Sequence, residues 1–393
     1  YSLIPGATTV RIQEIGYANR QASLSELDKM KKLVEQSMLE GAMGVGSSLI
    51  YAPADYANTQ ELIALSEVAS KYGGMYISHI RNEGDQVLEA VDELITIAKN
   101  ANIRSEIYHL KASRKANWSL LDDIIQKVEK ARSEGLKITA DMYTYNASST
   151  GLTGVIPTWV QEGGHRAWIN RMQQKEPRKR LIQDIKKELE QQPPQGILMV
   201  GFNKDSMKKK YIGMTIAEAA KIRNQSPEEA IIDLIIEDDS RIQCIYFSMS
   251  EDNIRKKIKL PWVSFCSDAG SYSNPPNGFR THPRAFGSFI RVLGKYSRDE
   301  GLITLEEGIR KLTSFPAENL GIKDRGLLKN GFYADIVVFD PNKIKDNATF
   351  NNPIQYAEGV EHVMVNGQIV LENGKHTNIF SGKFVKGPGY KEN

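Results

Sequence analysis

From residue 23 onward the chain alternates two hydrophobic periods. "SLSELDKMKKLVEQSMLEG" opens with Ser23 and Glu26 at capping-box spacing and carries apolar residues at helical intervals up to Gly41. "AMGVGSSLIY" then reads as a strand that turns, and "TQELIALSEVASKYGG" as a helix closed by Gly73 and Gly74. An apolar strand follows and ends on His79. The helix "DQVLEAVDELITIAKNA" leads to a second strand, "IRSEIYHLK", that stops at His109, and "SLLDDIIQKVEKARSEG" leads to the strand "KITADMYTY" at 137–145. Repetition of this kind predicts parallel strands joined by crossover helices. With this many units a (β/α)8 TIM-like barrel is the expected topology. A doubly wound sheet is the alternative, but "GAMGVGSS" is a poor match to its phosphate-binding glycine turn.

The rhythm breaks between about 146 and 258, where a helical insertion is expected. It includes "SPEEAIIDLIIEDD", with Ser226 as cap, Pro227 in the first helical position and Glu229 completing the box. Regularity returns with "LPWVSFCSDAG", an apolar strand leading to Asp268, and with the helix "HPRAFGSFIRVLGKY". Past 325 the texture is β: "GFYADIVVFD" and "VEHVMVNGQIVLENGKH" are strands, the second a hairpin turning at Asn366-Gly367. The expected division is a barrel with its insertion at 1–325 and a small β-sandwich domain at 326–393.

Bulk properties narrow the function classes. A chain of 393 residues exceeds one compact core, and a formal charge of +3 gives no reason to expect a nucleic-acid or anionic-membrane partner. No run approaches the 18 apolar residues of a membrane span. Cys244 and Cys266 are spaced neither as a zinc knuckle nor as a disulfide framework, which suits a cytoplasmic location while leaving an exported form open. Tyr1 is not an initiator Met, and "YSLIPGATTVR" reads like the middle of a folded domain.

The candidate chemistry lies at three strand ends. In a βα barrel the carboxyl ends of the strands share one mouth, and here they present His79, His109 and Asp268. Neutral imidazoles and a carboxylate suit a divalent transition metal, which lowers the pKa of bound water to about 7. A carboxylate nearby can move that water's proton. The plainer reading is that strand-end histidines pack at the rim. His165, His362 and His376 read as structural or surface residues, and Arg81 with Glu83 as a structural ion pair.

Together "GAMGVGSSLIYAPADYANTQEL", "YISHIRNEG", "YHLKAS", "ADMYTYNASST", "PWVSFCSDAG", "HPRAFGSFIRVLGKYSRDEG" and "GFYADIVVFDP" resemble, in order and spacing, the N-acyl-D-amino-acid deacylases (D-aminoacylases) of the metal-dependent amidohydrolase superfamily. The resemblance covers essentially the whole chain. It implies hydrolysis of a small-molecule N-acyl-D-amino acid to a carboxylate and a free D-amino acid. By position it makes His79 and His109 ligands of Zn2+ and Asp268 the proton shuttle. Lys111 and Arg284 become the cations that hold the substrate carboxylate, and Tyr51, Tyr143 and Ser149 line the pocket. The competing readings are rim packing for the two tyrosines and a rim-carboxylate partner for Lys111. A cation two residues past a ligand reaches the same mouth if the strand's side chains alternate.

Two departures qualify the resemblance. The family carries a His-x-His pair on its first barrel strand and a zinc-ligating cysteine on an early strand; this chain has no His-x-His, and Cys266 is placed two residues before Asp268 inside the last strand. The expectation is therefore an upstream polypeptide segment, cleaved or carried elsewhere, that completes the barrel. A cyclic-amide hydrolase of the hydantoinase or dihydroorotase type would share the barrel, but its strand-four lysine has no counterpart in "AMGVGSSLIY". A non-catalytic barrel scaffold is the remaining alternative.

Overall fold

The computed structural model describes residues 3–272 and 280–391, so Tyr1 and the question of what precedes it lie outside the described residues. Its central feature is a parallel sheet of β1 (Gly44–Ser48), β2 (Met75–His79), β3 (Arg104–Ile107), β4 (Ile138–Met142) and β8 (Val263–Phe265), in the order β1-β2-β3-β4-β8. Helices Thr59–Lys71, Val87–Asn100 and Leu120–Ser133 cross between successive strands. Their apolar stripes (Val87, Val91 and Leu94 on the second, for example) pack with the strands into one large core. Gly44 is required by this packing: a Cβ there would lie 2.0 Å from the Met75 carbonyl oxygen of β2.

The capping boxes at Ser23/Glu26 and Ser226/Glu229 form as the sequence predicts. The insertion is helical, with one addition. β5 (Ser148–Gly151), β6 (Ile197–Gly201) and β7 (Gln243–Tyr246) make a three-stranded antiparallel sheet, ordered β5-β7-β6, over a second core around Trp168, Leu181 and Ile231. These strands are four or five residues long and lie between longer helices, so periodicity gave them little weight. Beyond 325, β9 (Ile336–Phe339), β10 (Val360–Val365), β11 (Gln368–Glu372) and β12 (Lys375–His376) form a separate sheet ordered β12-β11-β10-β9. Its hairpin turns at Asn366-Gly367, both at positive φ, as a primed two-residue turn demands.

Candidate metal centre and its cavity

β2 carries His79 at its last residue, on the rim of a cavity of about 190 Å³ roofed by the insertion. β3 ends earlier than the sequence suggested, at Ile107, and His109 stands two residues beyond it at φ 36°. The alternation argument for His109 and Lys111 is thereby corrected. They face one mouth because the backbone turns after the strand, not because of the pleat. The turn is pinned on one side by Asp141 of β4, whose Oδ1 accepts the His109 N–H at 2.5 Å and whose carbonyl accepts the Leu110 N–H at 2.9 Å.

This turn brings His109 beside His79, with ring centroids 4.4 Å apart, and both beside Glu83. The ligand-type atoms of His79, Glu83 and His109 all lie within 4.8 Å of one another. Glu83 had been read as the partner of Arg81, but Arg81 forks onto Glu93 at 2.8 Å, which leaves Glu83 free to turn inward. The overlooked signal was the spacing in "HIRNEG", a carboxylate four residues past the histidine. Glu83 Oε1 lies 2.6 Å from Lys111 Nζ and 3.0 Å from His109 Nδ1, and Lys111 Nζ lies 2.7 Å from the same Nδ1. The structure thus places Lys111 among the cluster's own polar atoms, with its ammonium 5.6 Å from the Tyr143 ring centre.

Burial dominates the electrostatics. It draws the His79 imidazole down to about 3, so this ring is neutral at physiological pH and able to donate a lone pair. Burial alone would raise Glu83, but the Lys111 ammonium and the two imidazoles hold it well below the carboxylate range. His79 Nε2 is buried with no hydrogen-bond partner among the described residues. Two imidazoles and an ionised carboxylate, one ring nitrogen unclaimed, fit a divalent transition ion such as zinc.

Asp268 lies three residues past β8 at φ 46° and is partly open to the cavity. Its Oδ2 is 2.5 Å from Nη1 of the buried Arg284, whose guanidinium sits 4.5 Å from the Tyr143 ring centre. His282, left unassigned by the sequence, orients this arginine: it accepts the Arg284 backbone N–H at 3.0 Å and bonds the Ala147 carbonyl through Nε2 at 2.9 Å. Tyr51 reaches Thr150 Oγ1 at 2.8 Å with its ring 5.3 Å from that of His79. Ser149 lines the cavity but gives its hydroxyl to the Cys244 carbonyl at 2.8 Å. Cys266, one residue past β8 rather than inside it, is a half-buried free thiol that desolvation pushes well above its usual pKa, and it is not part of the His79–Glu83–His109 cluster. His165 pairs with Asp239 at 2.7 Å, away from the cluster.

The amidohydrolase family model matches residues 215–371. An N-acyl-D-glutamate deacylase from Alcaligenes xylosoxydans xylosoxydans is 32% identical over 370 residues, which is 93% of this chain and 65% of that protein. The chain therefore spans just under two thirds of that relative's length. A crystal structure of D-aminoacylase superposes with a TM-score of 0.79 at 28% identity, covering 97% of this chain and 70% of the other. An N-acyl-D-glutamate deacylase from Bordetella bronchiseptica, solved with zinc and a phosphonate mimic of the tetrahedral intermediate, gives 0.76 at 28% identity over 92% and 67%. By sequence and by architecture, this chain is similar to the N-acyl-D-amino-acid deacylases, and residues 215–371 match the amidohydrolase family model.

Proposed function

We propose that the protein is a zinc-dependent hydrolase that cleaves the amide of N-acyl-D-amino acids to a carboxylate and a free D-amino acid. The observation that carries this reading is the His79–Glu83–His109 cluster opening into a cavity that also holds Asp268, Lys111 and Arg284. A metal-donor set, a proton-transfer group and two cations for a carboxylate then face one space. Bound between His79, Glu83 and His109, a zinc ion would supply Lewis acidity toward the amide carbonyl. Arg284, pre-stacked on Tyr143, offers a planar fork to the substrate carboxylate, and Lys111 adds a point charge. Asp268 accepts the proton of the attacking water and returns it to the departing amine. Its contact with Arg284 ties the proton-transfer group to the group that places the substrate. Tyr51, Tyr143 and Ser149 shape the cavity wall.

The reading divides the chain near residue 325, supported by the separate β9–β12 sheet. No helix of the described residues is long and apolar enough to cross a membrane. Both cysteines are free thiols, which supports a reducing, cytoplasmic setting. The test is a panel of N-acetyl-D- and N-acetyl-L-amino acids, assayed for free amine after zinc loading. Release confined to the D series supports the proposal. No release from any member, with zinc bound, would favour the scaffold alternative.

A further inference from the structure

Lys257 is a buried amine for which the mechanism has no use. It sits on helix Glu251–Ile258, just before β8, and is only 1% exposed. Its Nζ donates to the carbonyl of Leu110, the residue between His109 and Lys111. Among the described residues this is the hydrogen bond recorded for its amine. An amine withdrawn from water loses hydration that one carbonyl does not restore, whereas a methionine would fill the stem's volume without that cost. Fold stability therefore does not explain the residue.

The segment it touches does explain it. His109 is a non-glycine residue at φ 36°, a left-handed conformation that costs on the order of 1–3 kcal/mol unless its surroundings impose it. Asp141 holds the two amides of this turn, at His109 and Leu110, while Lys257 holds the Leu110 carbonyl that follows them. Held at two successive amides and at the carbonyl that follows, the segment is restrained from relaxing toward the strand conformation. That relaxation would swing the His109 ring and the Lys111 amine away from Glu83.

The geometry points to Lys257 as a positioning residue that, with Asp141, locks the His109–Leu110–Lys111 turn so that ligand and cation converge on Glu83. The inference rests on the proposed metal site for its functional part; the mechanical part stands on the hydrogen bonds alone.

The test is Lys257→Met in the full chain. Backbone hydrogen exchange across 108–111 should quicken about tenfold or more, while β1 and the Leu120–Ser133 helix keep their protection. Zinc affinity, read by competition with a chelator, should weaken about 10- to 100-fold, as for other residues that orient metal ligands. The rate constant kcat should fall, and KM should rise less than in Arg284→Ala, because Lys111 is displaced while Arg284 is untouched. A purely structural lysine would instead lower Tm and leave the zinc affinity of the folded protein unchanged. Should Lys257→Met fail to fold, Lys257→Gln, with a neutral donor on a shorter stem, carries the same measurements. Unchanged exchange at 108–111 together with unchanged zinc affinity overturns the proposal. If the wild-type protein binds no zinc, the metal reading fails on that result, and hydrogen exchange alone decides whether Lys257 holds the turn.

Discussion

The C-terminal sheet leaves valines exposed, whereas the parallel sheet buries serines and carboxylates. In the C-terminal sheet, "IVVF" leaves Val337 55% and Val338 45% exposed. In the parallel sheet, strands carrying Ser47, Ser78, Ser105, Glu106 and Asp141 bury every one of those side chains. The difference lies in pairing. Ser47 bonds both Tyr76 and Ser78, at 2.7 and 2.9 Å; Glu106 accepts from Thr139 at 2.7 Å; Asp141 accepts the His109 amide. Buried polar groups are nearly always paired, and several paired together fix one another's orientation. Exposed valines require only that solvent be tolerated at that face.

Breaking a buried pair should cost most at Glu83, four residues past the end of β2. Glu83→Ala removes the anion that Lys111 faces and one of three candidate metal ligands. Chemical denaturation should show a loss of about 3–5 kcal/mol, the usual cost of orphaning a buried charge, and zinc should no longer be retained on dialysis. Next, Arg284→Ala should raise KM for N-acyl amino acids roughly tenfold to a hundredfold, the scale of a charge-assisted bond, while the corresponding amides change little. Equal effects on both substrates would remove the carboxylate clamp.

A smaller effect separates charge from packing. Burial, then the neighbouring Asp141, pushes Glu106 up to about 8 from its ordinary value of 4.5. The folded state binds more protons than the unfolded state across that interval. Its stabilising contribution is thus full below pH 4.5 and is lost as the pH rises through about 8. Glu106→Gln imitates the protonated acid, so its melting temperature should vary less than that of the wild type between pH 5 and 9. Parallel curves would place the proton elsewhere. At the bottom of the scale, Val338→Thr in the C-terminal sheet should alter stability by about 0.5 kcal/mol or less and leave kcat unchanged.

The same contrast explains what could be read in advance. Crossover helices, capping boxes and the Asn366-Gly367 turn announce themselves through local patterns, and so did the two histidines and Asp268. Glu83 was visible as a spacing but was assigned to Arg81, because the competing partner Glu93 lies on the following helix, outside local view. Asp141 and Lys257 left no local trace: one is an acid in mid-strand, the other a lysine on an amphipathic helix. Their roles depend on strand neighbours 32 and 147 residues away in sequence. The left-handed turn at His109 was hidden for the same reason, since tertiary bonds impose it and no glycine marks it.

The central claim is that Asp268 moves a proton beside a bound metal rather than merely holding that metal. Asn keeps the size and one oxygen of the side chain but accepts no proton. In Asp268→Asn, kcat for an N-acetyl-D-amino acid should therefore fall about a hundredfold or more at unchanged zinc stoichiometry. Both quantities are to be measured on the same preparation. Normal turnover at full zinc occupancy would contradict the account, and a rate restored by excess zinc would make Asp268 a ligand instead.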